Sequence, residues 1–256
     1  MELNKIYNMD CVDGLKQMVA DGNTIDCVIT SPPYNTMRNN QDDVGYDVYK
    51  DGIDNTQYCD WTVSIFNLID KILSPNGKIL YNMSYGSENT ECMNLTIADI
   101  IRRTNFTLAD IIVWEKKTAT PNNVSKNKLT RICEFVYVFA RRSDFLTFET
   151  NKKVVGSIER TGQAIYENIY NKIIADNNNG SNELNKATYS VDLVNQLMSI
   201  YCKKTDIVLD PFMGTGTTAV ACKINGNPFI GFELSDKQCE FANKWLSGTR
   251  TISSLF

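Results

Sequence analysis

The chain of 256 residues contains no histidine. Without an imidazole, Ser-His and Cys-His nucleophile chemistry is excluded, so any catalysis must rest on carboxylates, lysines, hydroxyls or the backbone. The eight cysteines stand singly, with no CxxC pair, which excludes the common zinc sites and indicates reduced core thiols. No apolar run approaches the roughly 18 residues of a membrane span, and the first residues lack a signal-peptide pattern. We therefore expect a cytoplasmic protein with no metal and no membrane partner.

Charge is unevenly distributed along the chain. The net charge is −4, yet residues 116–160 hold ten Lys/Arg against four Asp/Glu, so this window carries +6 and the remainder −10. A local basic excess of this kind is typical either of a nucleic-acid contact surface or of a solvated loop face.

Short β-rich runs alternate with helical patterns, which predicts an α/β sheet. The predicted strands cover residues 4–8, 25–30, 77–82, 107–114, 132–140, 206–210 and 229–233, and the predicted helices 12–20, 57–73, 89–103, 190–202, 217–225 and 235–247. Most strands are continuous apolar runs, so we expect helices to cover both faces of the sheet.

Two polar segments interrupt this alternation. Residues 35–56 are too long for an ordinary connection and indicate a functional lid or a disordered loop. Residues 142–188 have the composition of an insertion. We therefore divide the chain into a first half over 1–141, the insertion over 142–188, and a second half over 189–256 that completes the same domain.

The stretch "DIVLDPFMGTGTTAVAC", residues 206–222, indicates a strand, a glycine turn and a helix start. Gly214 and Gly216 allow close approach of a ligand, and Thr217 opens the helix. Glu233 ends the next strand, where a carboxylate suits a ribose diol. The run also satisfies the dinucleotide pattern G-x-G-x-x-A, but only about 40 residues follow Gly216, too few for the remaining strands of a dinucleotide domain. A purely structural glycine turn remains the alternative.

A second motif, Ser31-Pro32-Pro33-Tyr34, follows the apolar strand at 25–30. Each proline has a fixed φ and lacks an N–H, so this turn is stiff and offers carbonyls. The Ser31 hydroxyl and the Pro32 carbonyl can each accept one hydrogen of a planar amino group, and Tyr34 can stack on its ring. Taken alone, the stretch is better explained by a strand-ending turn with a packed tyrosine.

Together, TSPPY at 30–34 and DPFMGTGTT at 210–218 resemble motifs of the amino-group DNA methyltransferases. The tyrosine motif comes first and the glycine motif late, which is the permuted order of the β-class enzymes. The resemblance covers nearly the whole chain apart from 35–56 and 142–188. It implies a Rossmann-like, S-adenosylmethionine-dependent methyltransferase fold of the α/β class, with a mostly parallel seven-stranded sheet, helices on both faces and a small inserted recognition segment.

The resemblance also implies roles for individual residues. The catalytic set is Ser31, Pro32, Pro33 and Tyr34, and the cofactor-binding set is Asp10, Asp210, Pro211, Phe212, Gly214, Gly216, Thr217 and Glu233. Within it, S-adenosylmethionine lies over Phe212–Gly216, with Glu233 on its ribose and Asp210 near its methionine end. Asp10 corresponds to an acidic position near the adenine, although a helix N-cap explains this residue equally well.

The target atom follows from the motif. Cytosine C5 methylation needs a cysteine after proline, and the chain has no Pro-Cys dipeptide. Ser31 as the first letter of the motif favours cytosine N4 over adenine N6. Methylation of RNA or of a protein amide, a non-catalytic DNA-binding protein on the same fold, and a nucleotide-dependent oxidoreductase are the rival interpretations.

Double-stranded DNA is the implied partner. The residues predicted to contact it are Arg38 in the lid and Lys116, Lys117, Lys126, Lys128, Arg131, Lys152 and Lys153 in the basic window. A bacterial or phage enzyme of this class is compatible with a homodimer and with a cognate restriction endonuclease as further partners.

Overall fold

The structure, a computed structural model, describes residues 1–36, 52–86, 89–119, 121–123, 126–179 and 188–250. The strands are β1 (Lys5–Asn8), β2 (Ile25–Thr30), β3 (Leu73–Met83), β4 (Phe106–Lys116), β5 (Cys133–Arg141), β6 (Val154–Ser157), β7 (Ala164–Tyr166), β8 (Lys172–Ala175), β9 (Val208–Asp210) and β10 (Phe229–Glu233). The helices are α1 (Cys11–Ala20), α2 (Asn55–Ile72), α3 (Cys92–Arg103), α4 (Val191–Tyr201), α5 (Thr217–Asn225) and α6 (Asp236–Gly248), and a 3-10 turn covers Arg142–Asp144.

Helix boundaries follow local capping chemistry. Ser190 and Ser235 precede α4 and α6, and their hydroxyls accept the backbone N–H groups of Leu193 and Gln238. Such N-caps satisfy donors that have no partner within the helix. At the other end, α5 stops at Gly226, whose φ of 80° is the left-handed conformation that favours glycine.

Eight strands form one sheet in the order β1-β10-β9-β2-β3-β5-β4-β8. Only β5 runs against its neighbours among these described strands; the other pairs are parallel. The C-terminal strands β9 and β10 lie between β1 and β2, so the two ends of the chain build one continuous half of the sheet. This arrangement confirms the predicted mostly parallel fold with permuted order.

Helices cover both faces of the sheet, as predicted. On one face, α1, α2 and α3 pack side chains such as Leu15, Phe66 and Ile100 into one core cluster. On the other, α4, α5 and α6 contribute residues including Leu197 and Ala242 to a second cluster. The three layers bury the sheet and leave the carboxyl ends of its strands for loops.

The predicted insertion is only partly separate from the main sheet. Its β6–β7 hairpin forms a two-stranded sheet of its own. Residues 172–175, however, form β8, which pairs in parallel with β4 at the sheet edge, and Trp114 donates its indole N–H to the carbonyl of Ala175 at 3.4 Å. Each of the seven predicted strands is present in the sheet. The predicted total of seven was wrong, because the sheet has an eighth strand, β8, whose four residues lie within the polar segment.

The ends of the predicted lid are fixed by asparagines. The side chain of Asn35 donates to the carbonyl of Ile53 at 2.7 Å, and Asn89 donates to the carbonyl of Asn35 at 2.7 Å and to the side chain of Asn55 at 2.8 Å. Residues 37–51, including Arg38, lie outside the described residues. Of the helices in the described ranges, none combines the length and the apolar character needed to cross a bilayer.

We expect only one of the eight thiols to react quickly in the folded protein. All eight cysteines are free; seven are buried and Cys133 is half-buried. Burial raises the pKa of the thiols of Cys11, Cys27 and Cys222, which disfavours their reactive thiolate form. Titration with a thiol reagent should therefore show one rapidly reacting thiol in buffer and eight in denaturant. Three or more rapidly reacting thiols in the folded protein would contradict the buried arrangement.

Candidate active site

Candidate residues from both halves of the chain meet at one edge of the sheet. Strands β1, β10, β9 and β2 are adjacent and parallel, and their carboxyl ends lead into Asp10, Glu233, Asp210 and Ser31 respectively. In open α/β sheets this edge is where ligands bind. The two motifs, about 180 residues apart in sequence, thus form one site, as the permuted order requires.

The Pro-Pro turn is held rigidly at the end of β2. Thr30 and Pro32 are buried, and the Pro33 carbonyl accepts a hydrogen bond from the Tyr58 hydroxyl at 3.0 Å. The Pro33 carbonyl is therefore committed to the fold.

The Tyr34 hydroxyl is held by polar groups from three directions. Ser31 donates to it at 3.2 Å, and it lies 3.1 Å from both the Asn82 side-chain oxygen and Glu134 Oε2. Glu134 Oε1 in turn pairs with Lys116 Nζ at 2.5 Å. Asn82 and Glu134 lie on β3 and β5 and were not identified from the sequence, because nothing in their local pattern distinguishes them from other strand residues.

The glycine turn has the backbone that its sequence predicts. Gly214 and Gly216 have φ values of 56° and 95°, both in the left-handed region, and Gly216 caps α5. Glu233 organises this turn, since its Oε2 accepts the Gly214 N–H at 2.7 Å and its Oε1 accepts the Ser235 N–H at 2.8 Å. These bonds orient a half-buried carboxylate beside the start of α5.

Asp210 ties the two motifs together from inside the fold. Its Oδ1 accepts from the Thr30 hydroxyl at 2.6 Å and the Phe212 N–H at 3.0 Å, and its Oδ2 accepts from the Tyr189 and Thr218 hydroxyls at 3.1 and 2.6 Å. Burial raises the pKa of this carboxyl, and the four hydrogen bonds oppose that rise. Burial, and next the charge of Asp210, raise the pKa of Tyr189.

Asp210 is only 1% exposed and is held by its four hydrogen-bond partners. Its expected place near the methionine end of a cofactor stays a prediction. Pro211 and Thr217 are buried as well, and the Thr217 hydroxyl accepts from the Asn179 side chain at 3.1 Å. Pro211 and Thr217 therefore support the glycine turn from its buried side.

Asp10 is the N-cap of α1. Its Oδ1 accepts the backbone N–H groups of Val12 at 2.8 Å and Asp13 at 3.3 Å. The capping interpretation is therefore confirmed, and a cofactor contact by the same carboxylate stays a prediction. Lys78, on β3, donates to the carbonyl of Tyr201 at 2.8 Å and is a structural residue.

An aromatic contact adds a residue that the motifs do not contain. The ring of Trp61, on α2, lies 5.4 Å from that of Phe212 and 5.6 Å from that of Tyr58. Trp61 thereby connects the glycine turn to the residue that holds the Pro33 carbonyl. The helical spacing of Tyr58 and Trp61 places both on one face of α2, but only the fold shows what that face meets.

Several cations of the basic window have partners within the fold. Lys116 is 23% exposed and bound to Glu134, Lys117 pairs with Asp176 and Asp192, and Arg131 donates to the Tyr85 carbonyl and stacks on its ring. Lys116 forms an internal ion pair in this structure, and its predicted phosphate contact stays a prediction. Exposed or half-buried positions of the window are occupied by Lys126, Lys128, Lys152 and Lys153.

The sheet order and the joined motifs define a Rossmann-like methyltransferase domain of permuted order. A profile of the family described as DNA methylase matches residues 25–244. The chain therefore belongs to the DNA methylase family and is a DNA amino-methyltransferase.

Individual relatives extend over most of the chain. The type II methyltransferase M.Cfr9I of Citrobacter freundii is 24% identical over 287 residues, which cover 98% of this chain and 91% of that protein. M.BglII of Bacillus subtilis, also a type II methyltransferase, is 25% identical over 265 residues, covering 96% and 69%. Among solved structures, a complex of M1.HpyAVI with SAM has a TM-score of 0.65 at 24% identity, covering 94% and 98%. The PvuII DNA methyltransferase, described as cytosine-N4-specific, has a TM-score of 0.66 at 16% identity, covering 96% and 93%.

Proposed function

We propose that this chain is an S-adenosylmethionine-dependent, site-specific DNA methyltransferase that modifies the exocyclic amino group of a flipped base, with cytosine N4 favoured over adenine N6. The observation that carries the proposal is the joining of the Ser31–Tyr34 turn to the glycine turn through Thr30 and Asp210. A base-binding platform and a nucleoside-binding turn thereby share one edge of the sheet.

The residues at this edge fit S-adenosylmethionine in their chemistry. Glu233 presents a half-buried carboxylate beside an open glycine turn, which suits a ribose diol, and the Phe212 ring offers an apolar face. When bound, this cofactor supplies a methyl group activated on a sulfonium. The residues that would hold it are Phe212, Gly214, Gly216 and Glu233.

The turn at the end of β2 then acts on the amino group. An exocyclic amino nitrogen is a poor nucleophile because its lone pair is delocalised into the ring. Hydrogen bonds from its two hydrogens to the Ser31 oxygen and the Pro32 carbonyl would localise that lone pair on nitrogen. Extrusion of the base from the duplex costs a few kcal/mol in lost stacking and pairing. The Tyr34 ring, fixed through its hydroxyl, would replace the lost stacking.

The exposed lysines of the basic window supply the proposed DNA contacts. Lys126, Lys128, Lys152 and Lys153 lie on loops near the β6–β7 hairpin or between β4 and β5, and phosphate contacts by lysine release counterions and make affinity salt-dependent. The relatives described as type II methyltransferases support a restriction-modification role with a cognate endonuclease as partner.

The Ser31→Ala variant is the direct test of this function. Removal of one acceptor should lower DNA methylation by about 10- to 100-fold, the value of one strong hydrogen bond. Nucleoside analysis of DNA from cells expressing the wild-type chain should show N4-methylcytosine that is depleted in the variant.

Ser64→Ala is the matched control, since Ser64 is exposed on α2 and donates only locally, to the Trp61 carbonyl. Its methylation level should equal that of the wild type. N6-methyladenine alone would overturn the preference for cytosine, and the absence of any methylated base would overturn the function.

A further inference from the structure

A mostly buried ion pair lies directly behind the Ser31–Tyr34 turn. Lys116 on β4 and Glu134 on β5 are 23% and 16% exposed at their side chains, and their charged atoms are 2.5 Å apart. The Lys116 ammonium also lies 5.1 Å from the ring centroid of Trp114. The pair is therefore anchored in the sheet, and its free carboxylate oxygen faces the Tyr34 hydroxyl at 3.1 Å.

The neighbours of Tyr34 determine which way its proton points. A glutamate carboxylate can only accept hydrogen bonds. The side-chain oxygen of Asn82 also accepts, because its amide nitrogen donates to the Phe135 carbonyl at 3.1 Å and fixes the orientation of the amide. The Asn82 backbone carbonyl, at 3.5 Å, is a further acceptor near this hydroxyl. Of these described acceptors, the charged Glu134 carboxylate is the strongest and is the expected recipient of the Tyr34 proton.

The Ser31 hydroxyl is oriented in turn. With the Tyr34 proton directed to Glu134, the 3.2 Å bond between the two hydroxyls carries the serine proton towards the tyrosine oxygen. The hydrogen bonds therefore all run the same way, from Ser31 to Tyr34 to Glu134. The lone pairs of Ser31 then remain available to accept hydrogen bonds.

We propose that Glu134, held by Lys116, is a positioning residue that makes Ser31 a hydrogen-bond acceptor towards the substrate amino group. The proposal rests on the function proposed above, in which Ser31 receives an amino hydrogen. A serine hydroxyl can otherwise donate, and a hydroxyl donating to the amino nitrogen would occupy the lone pair that must attack. The direction imposed by Glu134 excludes that orientation and gives a serine the acceptor character that a carboxylate or amide oxygen has by itself.

The first test is Glu134→Gln. Lys116 is expected to retain the amide oxygen, which turns the amide N–H towards Tyr34, where it competes with Ser31 for the phenol oxygen. The single-turnover rate of DNA methylation should fall about tenfold, the value of one charge-assisted hydrogen bond. The cofactor dissociation constant and the KM for DNA should stay within about twofold of those of the control variant. The melting temperature should stay within about 3 °C of that of the control variant.

Glu115→Gln is the matched control. Glu115 forms an ion pair of the same type with Lys172, also at 2.5 Å, in the same sheet but away from the turn. Its single-turnover rate should equal that of the wild type. Equal rates for Glu134→Gln and Glu115→Gln would overturn the positioning role.

A double-mutant cycle separates orientation of Ser31 from general support of the site. In a Ser31→Ala background, measured with enzyme in excess, Glu134→Gln should cause no further loss, because there is no hydroxyl left to orient. The same tenfold loss in both backgrounds would overturn the proposal. If Ser31→Ala is impaired and Glu134→Gln is not, the positioning role alone fails; if Ser31→Ala is fully active, the proposed function of Ser31 fails and the positioning role fails with it.

Discussion

The Asp210→Ala variant is expected to lose about 3–5 kcal/mol of its free energy of unfolding, because four buried donors lose their acceptor at once. These donors come from β2, from the glycine turn, from α5 and from the segment before α4. Methylation should fall with stability even at temperatures where the variant stays folded, since Thr30 directly precedes Ser31. Urea unfolding followed by circular dichroism measures the first effect, and a methylation assay at low temperature the second.

The control for this prediction is Asp110→Ala. Asp110 is an exposed carboxylate on β4 whose described hydrogen bond is to the adjacent N–H of Ile111. Its loss should change the free energy of unfolding by no more than about 0.5 kcal/mol. Similar losses in the two variants would show that the motifs are not joined through Asp210.

Gly216→Ala should be the second severe substitution. At φ 95° an alanine is strained by roughly 1–2 kcal/mol. Its Cβ would also lie 2.8 Å from the Ala242 Cβ of α6, and relief of such overpacking costs about 1–3 kcal/mol more. Because Gly216 caps α5, the displaced turn should also bind S-adenosylmethionine at least about tenfold more weakly, which calorimetry can measure.

Gly226→Ala separates strain from collision. Gly226 has a φ of 80°, and nothing lies within 4 Å of the Cβ that it would gain. This variant should lose only the roughly 1–2 kcal/mol of backbone strain and keep its cofactor affinity. Ala242→Gly in the Gly216→Ala background should recover part of the loss, and an absence of recovery would exclude the collision with α6 as its cause.

The strands and helices were predictable because local pattern determines them. The apolar runs at 25–30 and 229–233 are strands, and the glycine turn lies between β9 and α5 as its sequence indicates. The permuted motif order also predicted that both ends of the chain meet in one sheet. In each case the information lies within a few residues or in the order of two motifs.

The residues that complete the site were not predictable, since they act over long distances in sequence. Glu134 reaches Tyr34 across 100 residues, and Tyr189 reaches Asp210 from outside both motifs. The charge of Lys116 is visible in the sequence, whereas its ion pair with Glu134 is not. Likewise, β8 is a strand only because β4 has an open edge beside it.

The strand order has a consequence for synthesis on the ribosome. β1 and β2 are separated in the sheet by β10 and β9, which are the last strands to be translated. At about 5–20 residues per second, the roughly 200 residues from β2 to β10 take about 10–40 s. During this time β1 lacks its neighbour β10, and β2 has β3 but lacks β9. A nascent chain stalled before β9 holds the Ser31–Tyr34 turn without Asp210 or the glycine turn. Incomplete translation products should therefore be unable to methylate DNA. They also expose unpaired strand edges that chaperones and proteases recognise.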